Sequence, residues 1–136
     1  MRRPADARSV KVLAAEHWKE EPEAQDFPAA ESCLSLLVGP AAAAKLAKDL
    51  RKEPTLRHCA AKDILRAAAL PLLPPGDSEV AADLDKVKAG RKLSPVPLVQ
   101  GIPLWVADGY HRVCASDHLG EKTWIPCRMV ARKLKS

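Results

Sequence analysis

The run Asp108-Gly109-Tyr110-His111-Arg112 puts an acid, a glycine, an imidazole and a guanidinium into consecutive positions, a combination suited to holding an anion. If the chain leaves a strand at Asp108-Gly109 and enters a helix at Tyr110, the amides of the first helical turn lie beside the glycine, and such amides receive phosphate. Gly109 lets the backbone turn and lets an anion approach closely. Arg112 presents a planar fork of donors, and His111 adds a donor or a proton carrier near neutral pH. Asp108 has two equally good readings, as a cap on the helix or as a carboxylate that assists a metal or orients His111.

The surrounding pattern supplies the strand and the helix that this chemistry needs. Residues 104–107 are apolar and read as a strand, preceded by a second strand at 95–99 across a loop containing Gly101. Tyr110 to Leu119 reads as a helix closed by Gly120, and 124–130 as the last strand. Upstream, Val80, Leu84 and Val87 recur at helical spacing, with Asp77 or Ser78 as the cap, Glu79 and Asp83 early, lysines late and Gly90 as the stop. Residues 56–61 alternate weakly as a first strand, followed by an apolar turn at 64–73 and a stop at Pro74-Pro75-Gly76-Asp77.

The first third has a different character. Residues 1–30 mix charges with Pro4, Pro22 and Pro28 and are expected to form an extended or poorly ordered lead-in, with Trp18 and Phe27 as its possible anchors. A short helix at 31–38 breaks at Gly39-Pro40, and a second at 41–52 turns Leu46 and Leu50 toward the rest of the chain and ends before Pro54. The division expected is therefore a lead-in (1–30), a helical appendage (31–55) and a domain (56–136) of α+β class, a small mixed sheet packed with helices.

The order of these parts carries a resemblance. Gly90-Arg91-Lys92-Leu93-Ser94-Pro95-Val96-Pro97-Leu98-Val99, then Leu104-Trp105-Val106-Ala107 running into Asp108 to Arg112, then Leu119-Gly120 and Ile125-Pro126-Cys127, resembles the ParB/sulfiredoxin superfamily over roughly residues 57–130. The resemblance implies that the box cradles the phosphates of a bound nucleotide. It names Gly109, Tyr110, His111 and Arg112 as the binding group, with Lys86 as a secondary contact on a helix lining the same cleft. It implies a nucleoside di- or triphosphate (ATP, ADP or CTP) with Mg²⁺, and hydrolysis or phosphoryl transfer in which Asp108 and His111 act. Asp63 and Glu79 fall near the expected cleft edge as further candidates for a base.

Departures from the family narrow the chemistry. Sulfiredoxins place a cysteine just before the His-Arg pair and this chain has Tyr110 there, so the thiolate that sulfinic acid reduction needs is missing. The chromosome-partitioning members carry a Gly-Glu-Arg-Arg-like box and a helix-turn-helix region, and neither is present. The likeness is to free-standing members with an Asp-Gly-His-His-Arg-like box, which include free-serine kinases and domains labelled nucleases. A nuclease would need metal-holding acids, and the sequence offers no dense carboxylate cluster.

Charge and cysteine usage bound the alternatives. A formal charge of +5 and a pI of about 9.2 suit anionic ligands without forming the dense basic patch of a dedicated nucleic-acid binder. The clusters Lys86-Lys88-Arg91-Lys92 and Arg132-Lys133-Lys135 leave open a non-enzymatic DNA-associated or protein-interaction module. The four cysteines include no Cys-x-x-Cys pair and read as reduced thiols. His111, Cys114 and His118 share a helix face, but no fourth ligand is evident and no metal site is expected of them. No apolar run is long enough to span a bilayer, and no apolar h-region follows the basic start, so a cytoplasmic protein is expected.

Overall fold

The computed structural model describes residues 17–120 and 124–132. Residues 1–16 of the expected lead-in and Lys133 and Lys135 of the terminal basic cluster lie outside the described residues. In chain order the elements are α1 (Asp26–Val38), α2 (Pro40–Lys52), β1 (Arg57–Ala60), α3 (Ala61–Ala68), α4 (Ser78–Lys88), β2 (Val96–Gln100), β3 (Trp105–Val106), α5 (Tyr110–Leu119) and β4 (Trp124–Ala131). They form an α+β fold in which helices pack on a small mixed sheet of order β1-β4-β2-β3. No helix among the described residues is long and apolar enough to cross a membrane.

β4 is the central strand, antiparallel to β1 (Cys59 opposite Ile125) and parallel to β2 (Val96 opposite Cys127). β3 closes the far edge as the antiparallel partner of β2, with Leu98 opposite Val106. Successive strand side chains point to opposite faces, and both faces of β2 are covered: Val96 and Leu98 pack with Ile64, Val80, Val113, Ile125 and Cys127, while Val99 packs with Phe27, Leu34 and Leu50. The short run Val96-Pro97-Leu98-Val99 is buried throughout, as expected of a strand with apolar layers on both sides.

The helical pair α1–α2 is the layer on the second face. Gly39 (φ 86°) makes the turn between them and Pro40 takes the first helical position, where its missing N–H costs nothing. α1 starts at Asp26, five residues before the position expected from sequence, because the apolar side of Phe27, Ala30 and Leu34 extends the buried stripe through Pro28. The described part of the lead-in is also built in: Trp18 is only 1% exposed, and its neighbours bond to Leu93 (Lys19 N–H to the Leu93 carbonyl, Leu93 N–H to the His17 carbonyl, both 2.8 Å).

Two further differences are local. The apolar stretch after β1 is a two-turn helix, α3, whose end places Ala69 in the left-handed region (φ 56°) where a glycine would normally stand. α4 begins as expected, with the Asp77 carboxylate accepting from the Glu79 and Val80 amides at 3.0 and 3.1 Å. Trp18 lies in the core cluster with Leu93, Val96 and Val113, so Trp18→Ala is expected to cost about 3–5 kcal/mol. A lower urea midpoint with an unchanged slope would record it.

Candidate functional site

The geometry of the box follows from one glycine. After β3, the Ala107 amide bonds to the Pro97 carbonyl at 3.0 Å, and the chain then turns through Gly109 at φ 86°, ψ 22°, the left-handed region. Gly109 itself is the residue that opens α5, and no side chain caps that opening. The expected capping role of Asp108 is therefore corrected: its carboxylate stands one residue too early and turns instead to Arg112, with Oδ2 3.6 Å from Nη2. The amides of the first turn are left available to an anion.

Arg112 lies directly over Gly109. A Cβ at position 109 would come within 2.7 Å of the guanidinium, so any other residue there would push the arginine aside. The Arg112 side chain is 16% exposed, and its guanidinium lies between Asp108 and Asp26, whose Oδ1 is 3.8 Å from Nη1. Nη2 donates to the Pro95 carbonyl at 3.3 Å, whereas the buried Nε has no hydrogen-bond partner. Both ion pairs are longer than hydrogen bonds, so this arginine is steered by charge while several of its donors remain unused.

Asp108, Gly109, His111 and Arg112 line one cleft of about 250 Å³ together with Lys86 of α4. His111 faces Glu79, with Nδ1 3.5 Å from Oε2, and Lys86 lies 3.8 Å from Asp83. Tyr110 is not brought to the cleft: its hydroxyl donates to the Pro71 carbonyl and holds the segment between α3 and α4. Nor is Asp63, which lies in the first turn of α3. The three residues considered as metal ligands separate, since Cys114 is fully buried and His118 bonds through Nε2 to the Leu73 carbonyl at 2.7 Å.

Sequence reasoning named Asp108 and Glu79 but missed Glu23, Asp26 and Asp83 as parts of the site. Glu23, Asp26, Glu79, Asp83 and Asp108 all line the cleft and outnumber Lys86, Lys92 and Arg112. Glu23 and Asp26 come from the segment read as lead-in, and a lone acid there carries no signal in sequence. Lys92, which is exposed, lines the same cleft. Among the described residues no group of three or more His, Cys, Asp or Glu is arranged to hold a metal ion by itself.

Electrostatics divide these acids. Burial pushes the Asp26 carboxyl above its ordinary range despite the nearby Arg112 and the hydrogen bond it accepts from the Glu23 amide at 2.8 Å. Burial likewise raises Asp83, against the pull of Lys86 and Arg112. Glu23 is lowered by its hydrogen bond from Lys19. Compared with known proteins, the chain matches no family model, no curated protein and no solved structure.

A raised carboxyl favours folding most when it is protonated in both states. Asp83 therefore contributes fully below about pH 3.8, its ordinary value, and loses that contribution as pH rises through its higher folded value. Asp83→Asn is expected to raise the melting temperature at neutral pH, and the gain should shrink to nothing in acid below that value. Thermal melts of the two proteins across this range check it, and a gain that is independent of pH would contradict the assignment.

Proposed function

We propose that this protein binds a nucleoside di- or triphosphate, of the ATP, ADP or CTP kind, with its phosphates against the opening of α5 at Gly109 to Arg112. The observation that carries the reading is Arg112, partly buried beside an uncapped helix start, with a single hydrogen-bonded terminal nitrogen and ion pairs too long to be hydrogen bonds. Terminal guanidinium nitrogens without close acceptors leave donors for a phosphate oxygen, an acceptor that also suits the adjacent amides. Lys86 and Lys92 supply further positive charge on the same wall. The resemblance of the box and its flanking segments to the ParB/sulfiredoxin superfamily supports the same assignment.

The excess of carboxylates shapes how such a ligand is held. Mg²⁺ keeps several waters and is bound by one or two carboxylates plus substrate phosphates, so the cleft acids suit it without a ready-made cage. Asp83 is the residue that would hold it, and bound there it would neutralise phosphate charge. Asp108 and His111 are assigned to proton handling in hydrolysis or phosphoryl transfer, with Glu79 3.5 Å from the His111 ring to orient it. A nucleic-acid backbone is the less favourable partner, because the wall it would meet holds more acids than bases.

Calorimetric titration with ATP, ADP, CTP and GTP, with and without Mg²⁺, tests the assignment. At least one nucleotide is expected to bind when Mg²⁺ is present. Arg112→Ala should weaken that binding by roughly 10–100-fold, the value of a charge-assisted hydrogen bond, and Lys86→Ala by less, with circular dichroism confirming that each variant is folded. The assignment fails if none of the four nucleotides binds, or if folded Arg112→Ala binds like the wild type.

A further inference from the structure

Among the described residues two carboxylates form ion pairs with Arg112, and one of them comes from outside the box. Asp26 opens α1, is 4% exposed, and is held in place by the Glu23 amide at 2.8 Å. Its carboxylate and that of Asp108 lie on the same guanidinium at 3.8 and 3.6 Å. An anion that is to use the free donors of Arg112 has to compete with both.

That competition depends on the charge of the anion. A phosphodiester or a carboxylate carries a single negative charge, no more than the carboxylate it would displace, so the exchange gains nothing in attraction. A terminal phosphate carries nearly two negative charges at neutral pH and three acceptor oxygens, enough to exceed either acid alone while also reaching the amides of the α5 start.

We propose that Asp26 is the specificity-determining residue of this site, holding Arg112 against singly charged anions and yielding it to the terminal phosphate of a phosphomonoester or polyphosphate. The inference rests on the phosphate-binding assignment above and adds to it the class of anion admitted. It also gives α1 a part in ligand selection, since the gate is supplied by the first turn of that helix.

The test is titration of wild type, Asp26→Asn and Glu23→Gln with ATP and with an oligonucleotide that lacks terminal phosphates, Mg²⁺ being present throughout. Asparagine keeps the acceptor for the Glu23 amide and removes the charge. Asp26→Asn is expected to bind ATP about tenfold more tightly than wild type and to gain measurable affinity for the oligonucleotide. Glu23→Gln removes a carboxylate from the same cleft without freeing Arg112, and should shift ATP affinity by no more than about twofold.

A gain in Glu23→Gln equal to that in Asp26→Asn would reduce the effect to the general field of the cleft and overturn the gate. So would wild-type binding of ATP with no gain in Asp26→Asn, an outcome that leaves the nucleotide assignment standing. If neither wild type nor Asp26→Asn binds either probe, the assignment and the gate fall together. Should Asp26→Asn not fold, Asp26→Ser removes the same charge, keeps an acceptor for the Glu23 amide, and carries the same expectations.

Discussion

A guanidinium with little access to water has to be neutralised where it stands, and in this protein Arg112 sets that requirement. Asp108 answers it from the strand-to-helix turn, Asp26 from the first turn of α1, and the Pro95 carbonyl from the entry to β2. Three segments far apart in sequence are thereby drawn to one point. Gly109 is the condition for the convergence, because its missing side chain is the space the guanidinium occupies and its left-handed backbone is what aims α5 into the cleft.

A second arginine makes the comparison that separates scaffold from site. Arg128 projects from β4 toward the same helical pair, where Nη1 donates to the Leu50 and Arg51 carbonyls and Nη2 to Glu21. Those carbonyls are at the C-terminal end of α2, where a cation is favoured. The Phe27 ring completes the seat at 5.8 Å. Each arginine buries an unpartnered Nε, but both terminal nitrogens of Arg128 are hydrogen-bonded at 2.9–3.3 Å, whereas Arg112 makes a single such bond. The first fastens α1 and α2 to the sheet, and the second keeps donors in reserve.

Legibility in the sequence followed the range of the interactions. α4, β2, α5 and β4 were readable because local periodicity, the Asp77 cap and the Gly39-Pro40 break act within a few residues. α3 was not, since it is two turns long and ends on an alanine in a glycine conformation. The box was readable as residues, but not the direction of each: Tyr110 starts α5 yet points to Pro71, because the direction of a side chain at a helix start depends on what packs beside it. Asp26 and Glu23 were beyond reach, as their place beside the box depends on the α1–α2 layer covering the second face of the sheet.

The charge of the whole chain is a poor guide to its cleft. The protein carries +5 overall, yet the wall around Arg112 holds more acids than bases. Net charge governs the approach of a ligand over distances comparable to the screening length, whereas capture is governed by donors already aimed at one position. In the proposed reading the aimed donors are the helix-start amides and Arg112, and the acids around them would make nonspecific capture of anions unfavourable. Burial already holds Asp26 and Asp83 above their ordinary carboxyl range, so the cleft bears its negative charge at a cost. A ligand that brings its own cation lowers that cost, while a bare anion raises it, and discrimination of this kind comes from local pairing with no need for a large basic surface.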